Sequence, residues 1–208
     1  MQTNGLSDTP VLVSGVAGFV GYHVASRLLS LGCRVYGFDD FNPYYDVALK
    51  ESRFALLSRM TGFHGFRVDL ADNNALRGVF EQAQASIVIH LAAQAGVRYS
   101  IDHPEVYTAS NLVGFMHILE MCRQHHPAHL IYASSSSVYG ANATTPYAVS
   151  QSVDHPVSLY AATKKSNELL GHAYASLYGI PMSGLRFFTV YGPWGRPDMA
   201  YYEFTRKI

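Results

Sequence analysis

The sequence predicts an α/β protein, a doubly wound parallel sheet with helices on both faces. Six short apolar segments alternate with longer segments of helical periodicity. The apolar segments are mostly continuous, as is typical of strands buried on both faces, and this alternation favours a parallel sheet. The predicted strands are residues 11–14, 34–38, 63–68, 86–91, 129–133 and 182–188, and the predicted helices are residues 19–31, 47–59, 73–84, 104–125 and 159–178.

Composition excludes several classes of protein. The chain has 208 residues, 49% of them hydrophobic, and no formal net charge, so it can build a large core but has no basic block for nucleic acid. No apolar run approaches the roughly 20 residues that span a bilayer. The N-terminal residues are polar and lack the apolar centre of a signal peptide. Cys33 and Cys122 lie far apart in sequence, which suits a reducing compartment. We therefore expect a cytoplasmic protein with no membrane or nucleic-acid partner.

A glycine-rich turn follows the first predicted strand. Gly15, Gly18 and Gly21 have the spacing GxxGxxG between that strand and the first helix. They suit a tight turn, the close approach of a pyrophosphate and close packing of helix on strand. Phe19 and Val20 begin the helix, where free N–H groups favour an anion. The motif alone is weak, and an ordinary strand-to-helix turn is the alternative.

An acidic residue ends the second predicted strand. Asp39 follows the glycine-rich turn at about the spacing of 20 residues at which a carboxylate accepts from an adenosine ribose hydroxyl. A carboxylate there repels a 2′-phosphate, so NAD is favoured over NADP. Asp39 or its neighbour Asp40, taken alone, is also compatible with an ordinary surface charge. Together, the turn and Asp39 predict a dinucleotide site.

The candidate catalytic residues follow the fifth predicted strand. Ser135 lies in a serine-rich stretch, and Tyr160 and Lys164 are separated by one helical turn. Tyrosine is a poor base because its pKa is about 10, but a nearby cation favours the phenolate. Taken alone, the Tyr/Lys pair is equally typical of a helix surface. We expect no metal site, because Pro127 interrupts the only cysteine–histidine cluster, which lies at a helix end.

From residue 11 to its end, the chain resembles the extended short-chain dehydrogenase/reductase family, which contains NAD-dependent nucleotide-sugar epimerases and dehydratases. The motifs GxxGxxG and YxxxK occur in the family's order. The resemblance implies a Rossmann fold with bound NAD. It implies further cofactor contacts, beyond the glycine-rich turn and Asp39, from Asp69, Leu70, Leu91, Ala92, Ala93, Asn111, Tyr160 and Lys164.

Within this family, residues 92–100, 134–140 and 186–199 are most similar to UDP-glucuronate 4-epimerases. The resemblance implies epimerisation at C4 of UDP-glucuronate to UDP-galacturonate by transient hydride transfer to NAD. It assigns Tyr160 as the base, Lys164 to the nicotinamide ribose and Ser135 to the sugar hydroxyl. Related dehydratases carry an Asp-Glu pair, and decarboxylases a Glu, where this chain has Ser136 and Ser137. Elimination chemistry is therefore disfavoured.

A hexuronic acid oxidised at C4 loses CO₂ readily, so an epimerase must hold its carboxylate. Ser136 and Ser137, with a guanidinium, are candidates. Arg196 is preferred over Arg98, although each is also compatible with an ordinary surface arginine. Thr189 completes the candidate substrate residues.

The resemblance also implies how the chain is divided and assembled. Residues 1–188 are predicted to form the NAD-binding domain with the catalytic Tyr and Lys, and residues 189–208 to begin a substrate-binding region that is otherwise missing. Helices 104–125 and 159–178 are expected to form a homodimer interface. Two alternatives remain open: an epimerase of another nucleotide sugar such as UDP-glucose, and an NAD-binding module without activity.

Overall fold

The computed structural model describes residues 6–142 and 144–208. Residues 1–5, on which the signal-peptide prediction partly rests, lie outside this described part. Six parallel strands form one sheet in the order β3-β2-β1-β4-β5-β6. The strands are β1 Pro10–Ser14, β2 Arg34–Asp39, β3 Phe63–Arg67, β4 Ile87–His90, β5 His129–Ser135 and β6 Met182–Phe187. The prediction of a doubly wound parallel sheet is confirmed.

Eight α-helices connect and flank the described strands. They are α1 Phe19–Ser30, α2 Val47–Ser58, α3 Asn73–Ala83, α4 Tyr99–Asp102, α5 Pro104–Tyr107, α6 Gly114–His125, α7 Leu159–Tyr178 and α8 Ala200–Lys207. A π-helical segment, Thr108–Val113, joins α5 to α6, and a short 3-10 helix, Ser136–Tyr139, follows β5. No helix among the described residues is long and apolar enough to cross a membrane.

Packing on the two faces of the sheet follows from the alternation of side chains along β1. Val11 and Val13 face a core that includes Ala25 of α1, whereas Leu12 faces the core that includes Ile118 of α6. All three β1 side chains are fully buried. The central strand is thus held by helices on both sides, which fixes the position of the loops at its carboxyl end.

The sequence predicts strands whose side chains are buried on both faces of the sheet. This prediction is wrong for the two outer strands. β3 and β6 each contain several exposed residues, and Leu185 of β6 is 41% exposed. The strand order explains this difference, because β3 and β6 are the edges of the sheet and have a neighbouring strand on one side only.

The predicted helix 104–125 is divided by its π-helical segment. Extra residues in a π-helical turn change which side chains face inward, and such turns occur frequently at functional sites. Here the segment contains Asn111, which is 2% exposed. Hydrophobic periodicity predicted a helix over this range but gave no sign of the insertion.

The winding of the sheet reverses between β1 and β4. From β1 the chain runs outward to β2 and β3, and then crosses back to β4 on the other side. In such sheets, ligands bind in the crevice beyond the carboxyl ends of the strands at this reversal. Ser14 of β1 lies opposite both Phe38 of β2 and His90 of β4, so the loops after these three strands meet there.

Candidate nucleotide-binding and catalytic site

A cleft opens at this position of the sheet. It is lined by most of the predicted cofactor residues: Gly15, Gly18, Phe19, Val20, Gly21, Asp39, Asp69, Leu70, Leu91, Ala92 and Ala93. Arg196, a predicted substrate residue, lines the same cleft. The fold thus brings together residues from four loops that are far apart in sequence.

The glycine-rich loop leaves no room for side chains at two positions. Gly15 has φ +70°, and a Cβ there would lie 2.7 Å from the Ala92 backbone nitrogen. A Cβ on Gly21 would collide with the carbonyl oxygen of Gly15. These close approaches bring the start of α1 against the ends of β1 and β4.

The start of α1 is suited to an anion. Gly18 is its N-cap and makes no side-chain capping bond, and the first turn contains no acidic residue. The backbone N–H groups of a helix start, together with the helix dipole, favour a phosphate at such a place. The loop therefore fits the pyrophosphate of a dinucleotide.

Asp39 is held rigidly at the edge of the cleft. Its two carboxylate oxygens accept hydrogen bonds from the backbone N–H groups of Ala17 (3.0 Å) and Phe41 (2.9 Å). Burial raises the pKa of Asp39, and the nearby Lys50 ammonium opposes this shift. Each oxygen keeps a second lone pair, so the carboxylate still fits a ribose hydroxyl.

Several residues of the cleft were missed by sequence reasoning, and Lys50 is the most informative. Lys50 is 7% exposed, and its ammonium lies 5.0 Å from the centre of the Tyr45 ring. Lys50 and Arg53 are one turn apart on α2 and therefore lie on the same face of a helix that was predicted to pack against the sheet. Two cations on such a face were the sequence signal that could have identified Lys50 as a cleft residue. The other cleft residues that were not predicted are Phe38, Asn42, Gln94, Ala95 and Ser110.

Ser14 and His90 join the ends of β1 and β4. The Ser14 Oγ accepts from the backbone N–H groups of Leu91 (3.0 Å) and Ala92 (3.1 Å), so its own hydrogen is donated to His90 Nδ1 at 2.8 Å. His90 Nδ1 is therefore unprotonated, and the ring proton is on Nε2. Burial, with a smaller contribution from the charge of Lys164, lowers the pKa of His90 to about 3.

This buried histidine predicts a loss of stability in mild acid. The unfolded chain binds a proton near pH 6.5, whereas folded His90 does so only near pH 3. Stability is therefore complete above pH 6.5 and decreases as the pH falls toward 3, by about 1.4 kcal/mol per unit from this group. Urea unfolding at several pH values measures the slope. His90→Gln is the control, and an unchanged slope in that variant would show that His90 is not responsible.

Tyr160 lies in the first turn of α7, next to the serine-rich loop. Ser158 caps the helix by accepting from the Ala161 N–H at 3.1 Å, and the Tyr107 ring contacts Tyr160 edge-on at 6.2 Å. Burial raises the pKa of Tyr160, while interaction with the Ser135 hydroxyl and the charge of Arg196 oppose this. The groups of the chain itself therefore keep Tyr160 protonated at neutral pH.

Lys164 is almost fully buried one turn further along α7. Its ammonium donates to the Ala133 carbonyl oxygen at 3.0 Å, and burial lowers its pKa to about 8. Lys164 and an oxidised nicotinamide were expected to lower the pKa of Tyr160. In the structure the opposing positive charge comes from Arg196, and the net shift is upward. The charge of an oxidised nicotinamide would act in addition.

Asn111 acts beneath the cleft rather than at its surface. Its Oδ1 accepts from the Gln94 N–H at 2.8 Å, and its Nδ2 donates to the Gln94 carbonyl (3.0 Å) and to Thr163 Oγ1 (3.1 Å). The side chain therefore joins the loop after β4 to α7, between Tyr160 and Lys164. Asn111 does not line the cleft, and the direct cofactor contact that the resemblance implied stays a prediction.

The serines after β5 have different environments. Ser134 is buried and donates to Glu168 Oε1 at 2.6 Å, and Glu168 is bound through both oxygens by Arg186 at 2.8 Å. Ser135 ends the strand and accepts from the Ser137 N–H at 3.2 Å. Ser136 and Ser137 are half-buried in the 3-10 helix. Ser134 is thus occupied structurally, whereas Ser135 interacts with Tyr160. The 3-10 helix that contains Ser136 and Ser137 packs against α7.

The remaining predicted substrate residues are separated. Arg98 is exposed at the start of α4 and Thr189 is exposed after β6, and neither lines the cleft. Arg98 is therefore not positioned with Arg196. The guanidinium of Arg196 is bound by Asp198, with Nε 3.0 Å from Oδ1, and Asp198 also accepts from the Tyr44 hydroxyl at 2.9 Å.

Comparison with known proteins agrees with this geometry. A family model described as NAD dependent epimerase/dehydratase matches residues 11–208. A probable UDP-glucuronate 4-epimerase of Rhizobium meliloti (strain 1021) is 53% identical over 197 residues, which are 95% of this chain and 58% of that protein. UDP-glucuronate 4-epimerase 2 of Arabidopsis thaliana is 52% identical over 206 residues, 99% of this chain and 46% of that protein.

Solved structures of nucleotide-sugar epimerases are also similar to this chain. The UDP-glucuronic acid 4-epimerase of Bacillus cereus, in complex with UDP-glucuronic acid and NAD, has a TM-score of 0.83 and 35% identity over 92% of this chain. The UDP-glucose 4-epimerase of Thermus thermophilus, in complex with NAD, has a TM-score of 0.82 and 31% identity over 94% of this chain. The chain covers 60% of each of these structures. With its fold, cleft and family match in agreement, this chain belongs to the NAD-dependent epimerase/dehydratase family.

Proposed function

We propose that the chain is the cofactor-binding and catalytic part of a UDP-glucuronate 4-epimerase, which interconverts UDP-glucuronate and UDP-galacturonate. The observation that carries the proposal is the interaction of the Ser135 hydroxyl with Tyr160, which also lies within range of the charge of Arg196, a residue of the cleft. Residues 134–140 contain no carboxylate. The similar proteins described above support the choice of sugar.

Each residue has a role in this proposal. The glycine-rich loop would hold the pyrophosphate of NAD, Asp39 its adenosine ribose and Lys164 its nicotinamide ribose. NAD, when bound, would supply the acceptor for the hydrogen at C4. Ser135 orients the C4 hydroxyl, and Tyr160 removes its proton and later restores it.

The substrate carboxylate is assigned to Ser136, Ser137 and Arg196. A guanidinium and two hydroxyls satisfy several carboxylate lone pairs and keep this group from leaving as CO₂. Asp198 already binds Arg196, so the substrate either displaces Asp198 or uses the remaining N–H groups of the guanidinium. Arg98, exposed at the start of α4, is not included.

The pairing of Arg196 with Asp198 also favours a second candidate. A guanidinium already neutralised by a carboxylate has less need of a charged sugar, which suits epimerisation of UDP-glucose. Incubation of the purified chain with each sugar nucleotide, followed by chromatography of the products, separates the two candidates. We expect the 4-epimer from UDP-glucuronate. Turnover of UDP-glucose alone would contradict the role of Ser136, Ser137 and Arg196, and retained NAD without any epimer would favour the inactive module.

We also propose a homodimer that packs α6 and α7 of one copy against those of the other. Leu169 and Leu177, about two turns apart on α7, are 58% and 71% exposed, and together they give this helix an apolar surface that a partner copy would cover. Sedimentation of the wild-type chain is expected to give a dimer. Leu169→Lys with Leu177→Lys is expected to give a monomer, and dimers in that double variant would exclude this face.

A further inference from the structure

Arg53 of α2 is a fully buried arginine. Its Nη1 donates to the Ala17 carbonyl (3.0 Å) and the Tyr45 hydroxyl (2.7 Å), and its Nη2 donates to the carbonyls of Trp194 (2.6 Å) and Gly195 (3.4 Å). Among the described residues, no carboxylate accepts a hydrogen bond from Arg53, and its buried Nε has no partner. Among the described residues, the groups that hydrogen-bond the guanidinium are thus carbonyl and hydroxyl oxygens.

These hydrogen bonds connect the two halves of the candidate site. Ala17 lies within the glycine-rich loop, directly before Gly18. Trp194 and Gly195 directly precede Arg196, which lines the cleft. One side chain therefore contacts both the loop suited to the pyrophosphate and the segment that carries the candidate substrate arginine.

The charge of Arg53 makes this connection sensitive to an anion. Burying an unpaired charge is unfavourable, even where dipoles recover part of the lost hydration free energy. Lys50 and Arg196 add positive charge at the cleft, while Asp39 and Asp40 add negative charge. A pyrophosphate at the start of α1 would place negative charge beside the Ala17–Gly18 peptide and so relieve the unpaired guanidinium.

We infer that Arg53 is a positioning residue that couples binding of a dinucleotide pyrophosphate at the glycine-rich loop to the placement of residues 194–198. This inference rests on the proposed function only in taking the cleft to bind NAD. Coupling between two sites is reciprocal. An interaction that holds residues 194–198 in the position favoured by NAD also tightens NAD binding, and NAD binding in turn holds the segment that contains Arg196 in that position.

A purely structural arginine would behave differently. Its loss would lower overall stability, but NAD would still slow hydrogen exchange of residues 194–198 as much as in the wild type. The NAD-dependent change is therefore the decisive quantity. Hydrogen exchange followed by mass spectrometry measures it, after equilibrium dialysis has determined the NAD affinity of each variant so that all are compared at saturation.

Three variants complete the experiment. Arg53→Met removes the charge and every donor, and Arg53→Lys keeps the charge but has one ammonium, which cannot bond both segments in the same geometry. Arg77→Met is the control, because Arg77 is exposed on α3 and bonds only Gln124. We expect NAD to slow exchange of residues 194–198 by at least about fivefold in the wild type and in Arg77→Met. We expect a smaller effect in Arg53→Lys and none in Arg53→Met.

Each outcome supports or overturns the inference. Equal NAD-dependent slowing in the Arg53 variants overturns it, as does NAD binding to the wild type without any slowing. If Arg53→Met does not fold, Arg53→Lys decides in the same way. Failure of the wild type to bind NAD overturns both the inference and the cofactor part of the proposed function. Binding and slowing without epimerisation would leave the inference supported and contradict the proposed activity alone.

Discussion

Tyr160→Phe should lower the rate at which UDP-glucuronate reduces bound NAD by about 10²–10⁴-fold, because a positioned general base contributes an acceleration of that size. The substitution removes one hydroxyl and keeps the ring that packs against Tyr107. NAD affinity and the unfolding free energy should therefore change little. Near-ultraviolet absorbance after mixing with substrate follows the reduction in a single turnover.

Tyr174→Phe is the matched control for this variant. Tyr174 lies on the same helix, and its hydroxyl donates to Glu120 at 2.6 Å, away from the cleft. Removal of that hydroxyl should leave the rate of NAD reduction unchanged. If both variants reduce NAD as fast as the wild type, Tyr160 is not the base.

Gly15→Ala should strongly destabilise the folded state. The left-handed conformation costs an alanine about 1–2 kcal/mol, and the Cβ, 2.7 Å from the Ala92 nitrogen, adds an overpacking cost of about 1–3 kcal/mol. The required shift of Ala92 also distorts the cleft, so NAD affinity should fall by more than about tenfold, which corresponds to 1.4 kcal/mol. Urea unfolding and equilibrium dialysis measure the two effects.

Gly78→Ala provides the opposite expectation. Gly78 lies within α3, and a Cβ there would meet nothing within 4 Å. Alanine should therefore stabilise the helix by about 0.5–1 kcal/mol and leave NAD binding unchanged. If Gly15→Ala is as stable as the wild type and binds NAD equally well, the close approach of β1 and β4 does not constrain the loop.

The fold was largely predictable because a buried parallel sheet leaves a strong pattern. Each of the six predicted strands lies within about two residues of its observed bounds, as expected for continuous apolar runs between turns. The π-helical segment at Thr108–Val113 was not predictable, because one extra residue per turn changes the apolar periodicity too little to be recognised in the sequence. The exposure of β3 and β6 follows from strand order, which is a tertiary property.

The candidate site was predictable only where one short motif specifies one position. The glycine-rich loop and Asp39 lie in the cleft because turn chemistry and strand ends fix them locally. The positions of Asn111 and Arg53 depend on contacts between distant segments. Asn111 binds Gln94 and Thr163, and Arg53 reaches Trp194 across the molecule. The spacing of residues along the sequence gives no indication of such contacts.

The fate of the hydrogen at C4 tests the proposed epimerisation most directly. UDP-glucuronate deuterated at C4 would be incubated with the chain and NAD in ordinary water, and the products analysed by mass spectrometry and nuclear magnetic resonance. Transfer of this hydrogen to bound NAD and back to the sugar predicts UDP-galacturonate that retains deuterium at C4, with no pentose nucleotide. An epimer that has exchanged this deuterium for solvent hydrogen, or a decarboxylated product in place of the epimer, would contradict the account.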